Sequence, residues 1–270
     1  MRDLIDDISG KTALVTGASS GMGRAIALRL AAAGVEVTAL GRNEAELSET
    51  SRMISAGGGT CHTLPTDIAS EGAMSAAIKQ SIALMGQLDI LINSAAVMYM
   101  HDVTETPRSR WGQMLDINLL ALIEGCEAAI AHMRKTKRDG RIVNISSLAG
   151  RLPGGSIYGA SKIAVEKYTD ELRSSLEQDN IRVTAIIPGG FSTNLGRDLS
   201  DAQLSAFQSR LGETLAKAPT DEEGRSAYFG LADDIARAVL FAVAQPSLLN
   251  ISEMVVRPAR NIDPSAFSTP

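Results

Sequence analysis

Tyr158 and Lys162 are the residues whose types and spacing best suit chemistry. They stand four apart in Tyr-Gly-Ala-Ser-Lys, a separation that puts two side chains on one face of a helix. An unperturbed tyrosine, with a pKa of about 10, is a poor base at neutral pH. A neighbouring ammonium favours the phenolate, so Tyr158 could take a proton from an alcohol or give one to a carbonyl oxygen. Such a pair alone is common in helices. Upstream, however, Ile145-Ser146-Ser147 reads as the end of a strand and is followed by Leu148-Ala149-Gly150. A hydroxyl there can donate to the same substrate oxygen and hold it against the tyrosine.

A second motif points to a nucleotide. Thr16-Gly17-Ala18-Ser19-Ser20-Gly21-Met22-Gly23 follows an apolar run and opens into a helical pattern. Glycines there let the backbone turn sharply and approach a pyrophosphate, with the helix N-terminus supplying free N–H groups. The spacing is G-x-x-x-G-x-G, which departs from the usual G-x-G-x-x-G fingerprint. An NAD enzyme commonly carries an acidic residue after its second strand. Here the stretch reads Ala39-Leu40-Gly41-Arg42-Asn43. The guanidinium of Arg42 suits the extra phosphate of NADP(H), the alternative being that Arg42 merely begins a solvated helix.

These residues need a scaffold, and the pattern around them supplies one. Short apolar runs at Ala13–Thr16, Glu36–Leu40, Cys61–Leu64, Leu88–Asn93, Arg141–Ser146, Arg182–Ile187 and Glu253–Val256 alternate with helical stretches. Runs apolar on both faces are expected of strands buried between helices. In the first helix Met22, Ile26 and Leu30 share a face, and Gly34 ends it. The expected fold is α/β: one doubly wound domain over residues 1–270, with a seven-stranded parallel sheet and helices on both faces. The stretch Asn194 to Leu231 breaks the rhythm and is expected to form a lid over the carboxyl ends of the strands, or else a decorative loop.

Composition narrows the function. Twenty-six basic against 31 acidic residues give a net charge of −5, and no long basic run offers a surface to nucleic acid or an anionic membrane. Cys61 and Cys126 are expected to be unpaired, which suits a reducing cytoplasm. His62, His101 and His132 lack metal-ligand spacing, so no metal is expected. Met1 to Gly10 has no apolar signal core and no run reaches membrane-spanning length, so a soluble cytoplasmic protein is expected.

Taken in order along the chain, the motifs resemble the short-chain dehydrogenase/reductase family, whose fold is a Rossmann domain. The family's glycines match Gly17, Gly21 and Gly23, with Ser19, Ser20 and Met22 between them on the cofactor. Its adenine-contacting aspartate matches Asp67, followed by Ile68, and its Asn-Asn-Ala-Gly motif matches Asn93-Ser94-Ala95-Ala96. The resemblance implies a helix asparagine, Asn118, that positions a relay water, and a catalytic Ser147, Tyr158 and Lys162, with Tyr158 and Lys162 also touching the cofactor. Ser147 is favoured because Leu148-Ala149-Gly150 follows it; Ser146, expected to face the strand packing, is the alternative. The family's Pro-Gly motif matches Pro188 and Gly189, and its later threonine, which contacts the nicotinamide carboxamide, matches Thr193.

The chain departs from the pattern in three places. Ser94 and Ala96 replace the second Asn and the Gly, the eleven-position gap from Ser147 to Tyr158 is shorter than usual, and Ser20 stands where NADP-preferring members often carry a basic residue. The ending Ile251–Pro258 resembles a smaller branch that includes clavulanate-type and serine or hydroxy-acid dehydrogenases, which implies NADP dependence and an oligomer.

The resemblance implies hydride transfer between nicotinamide and a small-molecule carbonyl or secondary alcohol. A non-catalytic NADP(H)-binding redox sensor, and an epimerase or dehydratase on the same fold, are the alternatives. Val97, Met98, Leu148, Ile157 and Phe191 are the expected pocket wall. Arg151, Arg197 and Arg210 could reach a carboxylate, or serve as solvated surface. A homo-oligomer, dimer or tetramer, is expected through helices over Trp111–Arg138 and Tyr158–Gln178.

Overall fold

A computed structural model describes residues 6–99, 107–153, 156–191 and 229–260. His101, Thr193, Arg197, Arg210 and nearly all of the expected lid lie outside the described residues.

Seven strands form one parallel sheet: β1 (Thr12–Thr16), β2 (Glu36–Gly41), β3 (Cys61–Pro65), β4 (Ile90–Asn93), β5 (Gly140–Ile145), β6 (Ile181–Pro188) and β7 (Glu253–Val256). Their order is β3-β2-β1-β4-β5-β6-β7. The order reverses between β1 and β4, which opens a crevice at the carboxyl ends of the strands. The helices are α1 (Gly21–Ala32), α2 (Glu44–Ala56), α3 (Ala73–Met85), α4 (Arg108–Leu115), α5 (Ala121–Thr136), α6 (Ser156–Ser175) and α7 (Ala232–Val243).

Alternation along the strands divides the core into two layers. Leu14, Leu91, Ile142 and Val183 face Met74 and Ile78 of α3, Cys126 of α5 and Val165 of α6. On the other face, Val15, Ile90, Val143 and Ile186 pack with Ile26 of α1, Leu47 and Ile54 of α2, and Val239 of α7. Helices therefore cover both faces, as expected for a doubly wound sheet. β7 sits at one edge and is half exposed along its length.

The helix expected over Trp111–Arg138 is interrupted. It begins at Arg108, widens into a π-helical turn over Asp116–Leu120, and ends at Thr136. Gly34, at φ 81°, follows α1 in the left-handed conformation that stops a helix. Asn43, directly after Arg42, caps α2 by accepting from Glu46 N at 3.1 Å. Among the described residues no helix is long and apolar enough to cross a membrane.

Candidate active site

The glycine turn leaves β1 and returns into α1 with no room for side chains. Gly17 sits at φ 70°, and a Cβ there would lie 2.9 Å from Ala95 Cα; one on Gly23 would run into the carbonyl of Gly17. Ser20 is the N-cap of α1 but makes no side-chain cap bond. The first-turn N–H groups are thus uncapped by a side chain, which suits an anion.

Neighbours hold the turn rigidly. Ala18 N donates to Leu40 O at 3.0 Å, and Thr50 Oγ1 donates to Ala18 O at 2.9 Å. Arg24 bonds the Ser19 carbonyl and pairs with Glu46. Thr16, which sequence reasoning passed over, has a positioning role: its Oγ1 accepts from Ser94 N and Ala95 N, both at 3.0 Å. The only available signal was its place as the last strand residue before the turn.

One cleft is lined by Gly17, Ser19, Ser20, Gly21, Met22, Gly23, Arg42, Asp67, Ile68, Ala95, Ser147, Tyr158, Lys162, Pro188 and Gly189. Ser94, Ala96, Ile117, Val97 and Phe191 also line it, whereas Met98, Leu148 and Ile157 do not. Arg42 is exposed at its rim. Asn93 and Asn118 are absent from the lining as well. Asn93 turns its amide into the core, donating to Asn144 Oδ1 at 2.8 Å, and Asn144 donates on to Thr169 Oγ1 at 2.9 Å. Asn118 accepts from Val97 N at 2.8 Å and donates to Val97 O at 2.9 Å and Ser161 Oγ at 3.1 Å. Its amide is therefore engaged with Val97 after β4 and with Ser161 of α6, and the π turn places it there.

At the far end of the cleft, β5 ends beneath α6. Ser147 has extended backbone and caps a short 3₁₀ turn over Leu148–Gly150, its Oγ accepting from Ala149 N at 3.2 Å. Its hydroxyl lies beside the Tyr158 phenol and favours the ionised form. Ser146 points the other way, with Oγ 2.7 Å from Glu166 Oε1 and 3.0 Å from Lys162 O. The hydroxyl that meets the tyrosine is that of Ser147.

The electrostatics differ from the expectation of a lowered tyrosine pKa. Tyr158 and Lys162 are only 6% and 2% exposed. Burial pushes the Tyr158 phenol up to about 12, with the neighbouring Ser147 hydroxyl pulling partly back. Lys162 Nζ donates to Ile145 O at 2.8 Å and lies 5.8 Å from the centre of the tyrosine ring. Burial drives its own pKa down to about 8. Desolvation sets the direction at both groups, and the cation is turned toward the strand carbonyl. Arg151, expected to reach a carboxylate or to serve as solvated surface, is exposed and pairs with Glu166 at 2.7 Å and Glu253 at 2.6 Å.

The cleft joins an anion cradle at one end to a hydroxyl, a phenol and an ammonium at the other, an arrangement that fits a dinucleotide beside a carbonyl. Known proteins carry the same chain plan. A model of the short chain dehydrogenase family matches residues 11–204. An uncharacterized oxidoreductase from Staphylococcus aureus is 32% identical over 253 residues, covering 93% of this chain and 98% of its own. A short chain dehydrogenase from Burkholderia cenocepacia, solved in complex with NADP, superposes with a TM-score of 0.77 at 30% identity, covering 94% of this chain and 98% of that one. A metagenomic short-chain oxidoreductase in complex with NADP gives a TM-score of 0.75 at 29% identity, covering 94% and 99%. With the motifs in order and matches over nearly its whole length, this chain belongs to the short-chain dehydrogenase family of oxidoreductases.

Proposed function

We propose that the protein is an NADP(H)-dependent oxidoreductase that interconverts a carbonyl and a secondary alcohol, with Tyr158 as general acid and base. The observation that carries this is the joining, in one cleft, of the glycine cradle and the Ser147, Tyr158 and Lys162 cluster. A bound dinucleotide would rest its pyrophosphate on residues 17 to 23, its adenine beside Asp67 and Ile68, and its nicotinamide half near Ala95, Pro188 and Gly189. When bound, the nicotinamide supplies or accepts the hydride. Arg42 at the rim would meet the adenosine phosphate, a reading supported by the NADP complexes of two similar structures.

The chain's own groups handle orientation and the proton. The Ser147 and Tyr158 hydroxyls would converge on one substrate oxygen. A phenol held at about 12 stays protonated throughout the neutral range, yet remains acidic enough to protonate an alkoxide as it forms. Lys162 would supply a donor for the nicotinamide ribose and a cation that favours the phenolate left when Tyr158 gives its proton to the alkoxide. Asn118 would act by holding Val97 at the cleft wall rather than through its amide on a relay water. Val97, Ile117 and Phe191 make that wall apolar, which favours an uncharged ketone, aldehyde or alcohol. The exposed Leu115, Leu120 and Ile163, on the helical segments expected to associate, support a homo-oligomer of two or four chains.

A panel of ketones and aldehydes, offered with NADPH and NADH side by side, tests the reading. Cofactor oxidation with NADPH preferred is the expected result. In Tyr158→Phe the rate should fall by about 10²–10⁴-fold with NADPH binding retained. Unchanged turnover in that variant would refute the role of Tyr158, and conversion with no net cofactor oxidation would replace it with an epimerase or dehydratase.

A further inference from the structure

Glu166 lies one helical turn beyond Lys162 on α6 and is 7% exposed. Its two carboxylate oxygens reach opposite ends of the same loop. Oε1 accepts from Ser146 Oγ at 2.7 Å, and Oε2 accepts from Arg151 Nε at 2.7 Å. Ser146 directly precedes Ser147, and Arg151 directly follows the 3₁₀ turn Leu148–Gly150 that Ser147 caps. The turn itself packs on α6. We infer that Glu166 is a positioning residue: one buried carboxylate clasps both ends of the Ser147 turn and sets the serine hydroxyl against Tyr158 on the same helix. This rests on the proposed role of Ser147 and Tyr158.

The chemistry of the clasp explains why a carboxylate stands there. The site presents two donors, a hydroxyl and a guanidinium N–H, and an ionised carboxyl group is acceptor-only at both oxygens. The guanidinium contributes a charge-assisted bond and continues to Glu253 Oε2 on β7 at 2.6 Å, which braces the turn against the sheet edge. Glu253 is half exposed, so the outer arm is the weaker one. Ser146 acquires a function in this arrangement that does not involve the substrate. Its hydroxyl anchors the backbone that carries the reacting neighbour.

Glu166→Ala and Glu166→Gln, compared in the full-length protein, decide the matter. The carboxamide is isosteric: its oxygen can accept from Arg151, while its NH₂ donates to Ser146 Oγ and Ser146 donates to Lys162 O, a bond already within reach at 3.0 Å. Glu166→Ala should lower kcat by at least about tenfold, with NADPH affinity unchanged, because the loss lies in alignment. Glu166→Gln should restore most of that loss. Hydrogen exchange at residues 147–151 should quicken in Glu166→Ala and return toward wild type in Glu166→Gln. Wild-type kcat in Glu166→Ala, or equal losses in both variants with exchange unchanged, would overturn the inference. The exchange measurement needs no turnover, so it still decides the clasp if the substrate panel shows no oxidoreductase activity.

Discussion

The depressed pKa of Lys162 can be tested through folding stability. Moving a lysine from 10.5 to about 8 corresponds to about 3 kcal/mol of destabilisation wherever both states are charged. The sign follows from proton binding. Above pH 10.5 Lys162 is neutral in the folded and unfolded chain, and burial carries no ionic penalty. Between that pH and about 8 the unfolded chain binds a proton that the folded one does not, so stability falls as pH falls. Below about 8 the full penalty applies. Lys162→Met keeps the length and apolar stem but removes the charge. It also leaves Ile145 O without its donor, a loss of about 1 kcal/mol. The variant should therefore be more stable than wild type by about 2 kcal/mol at pH 7, and less stable by about 1 kcal/mol near pH 10.5. Urea unfolding of both proteins in matched buffers from pH 7 to about 10.5 measures the difference directly. A stability difference that stays constant across that range would show that Lys162 titrates normally, and the electrostatic account of the site would fail. Turnover should be lost at every pH, which would make Lys162 a residue held at the expense of stability.

Arg42→Ala should weaken NADPH binding by about 10- to 100-fold, from the loss of a charge-assisted phosphate contact, and leave NADH binding nearly unchanged; titration by cofactor fluorescence checks this. Gly23→Ala forces a methyl group into the Gly17 carbonyl, so it should lower stability by about 1–3 kcal/mol and abolish binding of both dinucleotides, as seen by thermal melting with and without cofactor. Asn118→Ala leaves Val97 N and O without their partners and should destabilise the fold by about 2–4 kcal/mol in a urea melt.

Several features were legible because they depend on residues close in sequence. Strands buried on both faces announce themselves as apolar runs, and the boundaries read for β1 to β6 fall within two residues of those observed. The alternation of strand and helix implies a parallel sheet because parallel neighbours need a crossover. The π turn at Asp116–Leu120 left no such mark. A 3.6-residue period continues through Trp111–Arg138, and the widening accompanies bonds from Asn118 to Val97, which is 21 positions away. Asn93 illustrates the same limit. It occupies the place the motif predicts, yet its amide is taken by Asn144 on the neighbouring strand and faces away from the cleft.

What the sequence determined by itself was which groups share an element: Tyr158 and Lys162 on one helix, three glycines between a strand and a helix, Ser147 at a strand end. Tertiary structure alone decided that the Ser146 hydroxyl is taken by Glu166 and the Lys162 carbonyl, that Arg151 is bound to Glu166 and Glu253, and that burial raises the pKa of Tyr158. Spacing specifies neighbours along a helix or strand. Partners across elements, and the desolvation that shifts a pKa, arise only when the elements pack.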